Sequence, residues 1–468
     1  MKKTKIICSI GPSSSKYEVF KEMVENGMNV ARINFSHATE NEIKNVLSLV
    51  ERANKELGSN IAVLYDTKGP DFRTGKVEND EIKLKEGKTI RIVKEEVLGN
   101  EERITVNYKD ALDMINVNDI ILLEDGLMKL LVVDKDSKGL TCSIVVGGLL
   151  GNKKGVNVPG VNLNVPFISK QDELDIRYAC KNGGDFLALS FVSDKEDIIR
   201  VKEILKSENS NMQIISKIES NTAIKNIDDI IEESDGIMVA RGDLGVEVPM
   251  KELPILQKKI IKKCREKGKF VIVATEMLAS MYKNARPTRA EVTDIANAVL
   301  DGTDAVMLSG ETTTGKYPID AVKYMAEIAL NTEEYLNYEK MIKLTDEIDV
   351  TDTIARSVVD VSNMLDVKTI IAATISGNTA IKISNLKPKT IVVAACPTEK
   401  VAHSLALRFG VYPVLVPVYE STDELINHSI EASKKIINYN KDDLVVITGG
   451  FPNNVPIKTT NFLKVERM

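Results

Sequence analysis

Eight short apolar runs, each ending in polar residues and all but the third followed by a helical stretch, constrain this chain more than any other feature. Three come first, over 3–10, 29–35 and 61–66, with helices expected over 17–26 and 40–57. Five come later, over 186–191, 212–219, 236–241, 270–275 and 305–309, the last followed by a helix over 319–335. Strands that alternate with helices imply crossover connections and a parallel sheet. Eight such units, close in total size to the ~250 residues of an eight-fold β/α barrel, predict a (β/α)8 TIM barrel. A doubly wound open sheet is the competing fold, weakened by the count of eight and by the lack of a G-x-G-x-x-G after the first strand.

Between the third and fourth runs the pattern changes. From Thr67 to Pro159 no long helix is expected. Strand-like segments at 89–93, 120–123, 129–133 and 140–146 are separated by Gly, Asn and Asp turns, which predicts an inserted all-β lid domain. After residue 343 alternation starts again. Helices over 353–365, 380–385, 400–409 and 422–438 and strands over 369–374, 390–395, 411–416 and 444–448 predict a C-terminal α/β domain. The expected partition is 1–69 and 160–342 for the barrel, 70–159 for the lid and 343–468 for the last domain.

Composition is that of a globular chain, 43% hydrophobic and 28% charged, with a net charge of -6 that argues against a general nucleic-acid binder. No apolar run reaches the roughly 18 residues of a membrane helix. The N-terminus lacks the apolar core and cleavage site of a signal peptide, so a cytoplasmic location is expected. The five cysteines form no C-x-x-C and read as reduced core thiols.

Barrel sites form at the C-terminal ends of the strands, and here those ends are unusually polar. The second strand carries Arg32, Asn34 and Ser36 at period two, with His37 beyond. The third ends in Asp66 and Thr67, with Lys68 and Arg73 following. The fifth places Lys217 and Glu219 on one face. The sixth runs into Arg241, Gly242 and Asp243, and Arg241 and Asp243 share a face if the strand lasts that far. The seventh and eighth end in Thr275 with Glu276, and in Ser309 with Glu311. Carboxylates are hard ligands that suit Mg²⁺ or Mn²⁺. Arginine forks match phosphate or carboxylate, and a lysine beside a metal neutralises developing charge. Together they suggest phosphoryl transfer; two surface ion pairs at strand ends are the bland alternative for 217–243. The run from Gly310 to Lys316 matches G-x-x-x-x-G-K, but Tyr317 and Pro318 stand where a phosphate loop needs Ser or Thr, so a capped loop into the last barrel helix is expected. His403 and His428 read as ordinary helix residues, too far apart in sequence from His37 to share a metal with it.

The segments 3–13 (KTKIICSIGPS), 29–37 (NVARINFSH), 66–70 (DTKGP) with 73–75 (RTG), 216–219 (SKIE), 238–245 (MVARGDLG), 287–294 (PTRAEVTD) and 306–312 (VMLSGET) resemble the pyruvate kinase family, in family order and over essentially the whole chain. The resemblance implies transfer of the phosphoryl group of phosphoenolpyruvate to ADP, in glycolysis. It implies that Glu219 and Asp243 hold Mg²⁺ or Mn²⁺. Lys217 would neutralise the phosphoryl in flight, and Arg32 would bind the phosphate with Arg73 nearby. Backbone amides from Ala240 through Arg241 to Gly242 would hold the substrate carboxylate. Thr275, with Ser309 and Glu311 as a relay, would deliver the proton that completes pyruvate. Asn34, Ser36, Asp66 and Thr67 would hold K⁺. Asn34, His37, Arg73 and Lys153 would lie toward the nucleotide, under a lid carrying Asp125. An acidic residue after the DTKGP run goes with a potassium requirement in the family; Asp71 stands there where glutamate is usual, and Glu276 stands where glutamine is frequent. The loop 374–379 matches the position of a sugar-phosphate effector loop, a simple helix cap being the alternative. The chain stops at Met468 without the extra domain of some bacterial members, and a homotetramer is expected. Two other readings share these residues: a lyase or mutase handling a similar acid, which needs no nucleotide lid, and an inactive metabolite sensor.

Overall fold

The computed structural model describes residues 1–161, 163–338, 349–451 and 459–468. Strands β1 (Lys5–Ser9), β2 (Val30–Asn34) and β3 (Ala62–Asp66) come first. The lid follows with β4 (Glu81–Leu84), β5 (Thr89–Val93), β6 (Arg103–Thr105), β7 (Ile120–Leu123), β8 (Met128–Asp136), β9 (Gly139–Val146), β10 (Gly148–Gly151) and β11 (Val156–Asn157). Then come β12 (Phe186–Leu189), β13 (Gln213–Ile218), β14 (Gly236–Ala240), β15 (Phe270–Ala274) and β16 (Ala305–Leu308). The eight strands outside the lid close into a parallel barrel in the order β1-β16-β15-β14-β13-β12-β3-β2, the predicted TIM barrel.

Period-two alternation decides what lies inside. Ile7, Val30, Leu64, Ala188, Ile215, Met238, Ile272 and Met307 fill the barrel core, while their neighbours in sequence pack outward on the helices. Gly236 opens β14 because a Cβ there would lie 2.2 Å from the Phe270 ring. Continued toward the C-terminal ends, the inward register meets Ser9, Arg32, Asp66, Ser190 and Lys217. The apolar filling thus gives way to a polar layer at one end of the barrel.

The helices Tyr17–Glu25 and Glu40–Leu57 form as expected, but no serine from 13–15 caps the first. Its N-cap is Lys16, and Ser14 Oγ donates instead to the Thr312 carbonyl (2.7 Å), tying the loop after β1 to the loop after β16. The 310–316 segment is one short helical turn, Gly310–Thr313, with Glu311 and Thr312 buried.

The lid has a six-stranded sheet, β11-β7-β8-β9-β5-β6, and a two-stranded pair, β10-β4, around their own apolar core. The strands β4, β6, β10 and β11 escape sequence reading because segments of two to four residues are too short for a periodicity to stand out.

In the C-terminal domain β17 (Thr369–Ala373), β18 (Val392–Cys396), β19 (Val411–Leu415) and β20 (Leu444–Gly449) are parallel, and β21 (Phe462–Arg467) adds an antiparallel edge. The helix expected over 400–409 stops at Ser404. Ala406 and Leu407 leave it to plug the barrel end opposite the polar layer. Burial beneath the barrel overrides helix propensity there. The seam between domains is charged as well as apolar: Lys387 meets Asp304 (2.5 Å), Lys5 Nζ donates to the Val411 carbonyl (2.6 Å), and His403 faces Asp185 (3.3 Å). His428 stacks on Tyr419 (4.4 Å between ring centroids). All five cysteines are free, as expected. Among the described residues no helix is long and apolar enough to cross a membrane.

Candidate active site

Lys217 organises the polar end of the barrel. Its ammonium lies 3.1 Å from Asp66 Oδ1, 3.0 Å from Glu219 Oε1 and 2.7 Å from Ser190 Oγ. Lys217 and Glu219 share a face, the strand's alternation carrying one residue past the end of β13 at Ile218. Arg32 closes the other side: its Nη2 and Nε contact Asp66 Oδ2 at 2.7 and 2.8 Å, and its Nη1 donates to Ser9 Oγ at 2.6 Å.

These groups are buried, so charge balance sets their protonation. Burial alone would lower Lys217, but Asp66 and Glu219 outweigh it and hold the ammonium well above the ordinary lysine range. Burial would raise Asp66, and Arg32 with Lys217 reverses the sign and lowers it. Glu219 behaves differently. Burial pushes it up to about 7 even though Lys217 pulls it down, with Asp243 adding to the rise. Burial likewise raises Asp243, Lys217 counteracts, and Asp125 on the lid adds to the rise. Two carboxylates that resist ionisation side by side are short of positive charge.

A cleft of about 460 Å³ lies between this layer and the lid. Asn34, Ser36, Asp66, Thr67, Arg73, Lys217, Glu219 and Asp243 all line it, joined by Glu124, Asp125 and Lys154 from the lid. Arg32, His37, Lys153, Thr275, Ser309 and Glu311 lie outside that wall. The Glu124–Asp125 turn holds both residues at positive φ (50° and 54°), which aims the lid's carboxylates at the cleft. Arg73 is fastened by Asp71 (2.5 Å) and by the Lys153 carbonyl (2.9 Å). Lys153 is itself exposed, whereas Lys154 pairs with Glu124 (2.5 Å) on the cleft wall. His37 is exposed on the rim.

One sequence expectation needs correction. The β14 strand ends at Ala240, so Arg241 opens the helix Arg241–Glu247 and does not share a face with Asp243. Its guanidinium turns to Asp294 (2.6 Å) and the Thr275 carbonyl (2.6 Å), which leaves only its backbone available to an anion in the cleft. Glu311, the expected relay partner of Ser309, also has a structural part. Its buried carboxylate accepts the Leu278 amide (3.1 Å) and the Ser309 amide (2.8 Å), so it braces the loops after β15 and β16.

Thr275 sits at φ 69°, a region that β-branched residues avoid, and such outliers cluster at functional sites. Its hydroxyl accepts the Gly242 amide (2.7 Å) and donates to the Ala274 carbonyl (2.6 Å). Sequence reading missed Ser190, which contacts Lys217, Asp66 Oδ1 (3.3 Å) and the Thr67 carbonyl (2.7 Å). It also missed the Phe191 amide, which donates to Glu219 Oε2 (2.6 Å). The signal for Ser190 was its inward register two residues after Ala188.

Fold and site define a lid-covered (β/α)8-barrel enzyme with a C-terminal α/β domain. A family model for "Pyruvate kinase, barrel domain" matches residues 1–322, and one for "Pyruvate kinase, alpha/beta domain" matches 352–466. Pyruvate kinase of Geobacillus stearothermophilus is 45% identical over 99% of this chain and 80% of its own length. Pyruvate kinase of Clostridium acetobutylicum is 42% identical over 100% of this chain and 99% of its own. The crystal structure of a pyruvate kinase from Cryptosporidium parvum superimposes with a TM-score of 0.95 at 35% identity, covering 100% of this chain and 96% of that one. The chain belongs to the pyruvate kinase family. Its reaction is transfer of the phosphoryl group of phosphoenolpyruvate to ADP, giving pyruvate and ATP in glycolysis. The family uses a divalent metal and potassium.

Proposed function

We propose that this reaction runs on Lys217, Arg32 and Arg73, with the pair Glu219 and Asp243 holding Mg²⁺ or Mn²⁺ and Thr275 delivering the final proton. The observation that carries this reading is the Lys217 ammonium, held charged by Asp66 and Glu219 at the floor of the cleft. The donor set fits a hard divalent ion: one buried and one half-buried carboxylate short of positive charge, with few enough protein ligands to leave positions for substrate oxygens and water. When bound, the metal supplies charge neutralisation for the transferred group. Arg32 and Lys217 bind the phosphoryl group, and the fixed charge of Lys217 stabilises it during transfer. The substrate carboxylate takes backbone amides from Ala240 to Gly242. That exchange frees the Thr275 hydroxyl from the Gly242 amide and lets it turn to the enolate carbon. Ser309 and Glu311 serve Thr275 as the relay for that proton, a role supported by the Glu311 carboxylate lying on the Ser309 amide (2.8 Å). Asn34, His37, Arg73 and Lys153 lie toward ADP. The lid, through Asp125, excludes water and so prevents hydrolysis.

Thr275→Val keeps the shape and removes the hydroxyl. It is expected to lower the rate of pyruvate formation by about 10²–10⁴-fold, the scale of positioned proton transfer, with phosphoenolpyruvate affinity nearly unchanged. A variant within a few fold of the parent enzyme removes Thr275 from the protonation step.

Asn34, Ser36, Asp66 and the Thr67 carbonyl form the K⁺ site of this reading, supported by their shared place on the cleft wall. Asp71, which holds Arg73, makes the enzyme potassium-dependent. Assays should show activity rising with K⁺, and full activity in sodium- and potassium-free buffer overturns this. The loop 374–379 accepts a sugar phosphate: Thr374 Oγ1 takes the Gly377 amide (3.0 Å), shaping a turn at a helix start. An unchanged rate across a sugar-phosphate panel would remove that assignment. The same reading carries a cytoplasmic homotetramer, which sedimentation tests. It also carries a lid over 70–159, a barrel over 1–69 and 160–342, and a last domain over 343–468. The junction at 342–343 lies outside the described residues, and limited proteolysis that cut within these units and spared their junctions would contradict the partition.

A further inference from the structure

We propose that the seam between the barrel and the C-terminal domain holds a second anion site, for inorganic phosphate or a small phosphomonoester, anchored by Arg408 and Lys269. A cavity of about 270 Å³ opens there, at the barrel end remote from the catalytic cleft. It is walled by the loops leading into β14 and β15, by the helices Val350–Met364 and Asn378–Asn385, and by Arg408. Five basic side chains face two carboxylates, Asp235 and Asp352.

Lys382 pairs with Asp352 (2.7 Å) and Lys267 with Glu232 (3.2 Å), but the charges of Arg408 and Lys269 are not spent on acids. Arg408 is only 6% exposed and lies over the Phe270 ring, 4.7 Å from its centroid. Its Nε and Nη1 have no hydrogen-bond acceptor. The nearest carboxylates are already engaged. Asp304 accepts Lys387 (2.5 Å) and the Val271 amide (2.9 Å), and Asp235 accepts the Ile214 amide (2.8 Å). Lys269 donates to the carbonyls of Glu232 (2.9 Å) and Ser234 (2.7 Å), neutral acceptors that leave its charge uncompensated. Among the described residues no carboxylate lies within ion-pair distance of Lys269 or Arg408. Burial lowers both cations below their ordinary range, which is the electrostatic mark of a missing counter-charge.

A buried donor without an acceptor costs stability until something supplies one. A phosphate dianion does so on several sides at once, meeting a guanidinium from one domain and an ammonium from the other. At this volume, just under the ~300 Å³ at which drug-sized pockets begin, a phosphate or short phosphomonoester fits and a nucleotide does not. The cavity lies at the C-terminal end of the helix whose N-terminal end carries the loop 374–379, so the two sites are separate. Its ligand would bridge the C-terminal domain to the strands that end near Thr275 and Asp243.

The test is calorimetric titration of the full chain, with phosphoenolpyruvate and Mg²⁺ saturating the catalytic cleft and ionic strength held constant with NaCl. The probes are inorganic phosphate and glycerol 2-phosphate. One saturable site per chain is expected. Arg408→Gln and Lys269→Gln should each weaken it at least tenfold, and Thr379→Val in the 374–379 loop should leave it unchanged. Tighter binding of the ester assigns the site to an organic phosphate, and equal binding assigns it to phosphate itself. The proposal falls if neither probe saturates, if both charge variants bind within twofold of the parent, or if only Thr379→Val loses binding. Should Arg408→Gln fail to give a cooperative melt, Lys269→Gln decides alone.

Discussion

Lys217→Met is expected to cut the rate of pyruvate formation by about 10³–10⁵-fold while phosphoenolpyruvate still binds, the scale attached to a single cation that stabilises phosphoryl transfer. The reason is positional. The ammonium is held by Asp66, Glu219 and Ser190 and has little freedom to move with the substrate, so its charge is fixed where negative charge develops. Because the two carboxylates outweigh burial, it stays charged throughout the neutral range. Methionine keeps most of the length and removes the charge. The variant should fold, since Asp66 keeps its contacts with Arg32 and Glu219 keeps the Phe191 amide. A melting curve checks that. An interaction made mainly in the transition state lowers kcat and kcat/KM together. If KM rises alone and kcat survives within tenfold, Lys217 is a binding residue and the proposed transfer role is wrong.

Much of this was legible without coordinates, for physical reasons that differ by element. The barrel strands were legible because each is an apolar run bounded by turn residues, and counting eight of them fixed the closure. The shared face of Lys217 and Glu219 followed from period two, which holds here because the backbone stays extended one residue past the end of β13. The face of Arg241 did not follow, because where a strand yields to a helix depends on the next turn. One residue of difference sent its guanidinium to Asp294 and away from the cleft. The same limit applies to helix ends. Nothing local stops the 400–409 helix at Ser404; the demand comes from the barrel end that Ala406 and Leu407 fill.

At the site, charged residues were legible and their partners were not. Ser190 carries no charge and stands in no signature, yet it touches Lys217, Asp66 and Thr67 at once. The resemblance pointed to Glu311 as part of a proton relay, and the two backbone amides it accepts, which also tie the loops after β15 and β16, were not legible. Residue type indicates what a side chain can do, and only its neighbours decide which of those things it does.

Glu219→Gln should lower kcat/KM by about 10²–10⁴-fold at fixed Mg²⁺, as expected for losing several kcal/mol of metal-derived stabilisation, each 1.4 kcal/mol being tenfold. The change is nearly isosteric, and the amide oxygen can still accept the Phe191 amide. Two explanations would give a loss, because Glu219 lies within 3.0 Å of Lys217 as well as beside Asp243. It could act as a metal ligand or as the counter-charge that positions the ammonium. Metal titration separates them. A ligand role predicts that raising Mg²⁺ or Mn²⁺ restores part of the activity of Glu219→Gln and none of that of Lys217→Met. A counter-charge role predicts no metal response in either variant, and predicts that Asp66→Asn, which removes the other carboxylate on the ammonium, reproduces the Glu219→Gln loss. A metal response confined to Glu219→Gln and an Asp243 variant would assign the divalent ion to this pair. Activity indifferent to metal concentration across all of them would move the ion elsewhere in the cleft.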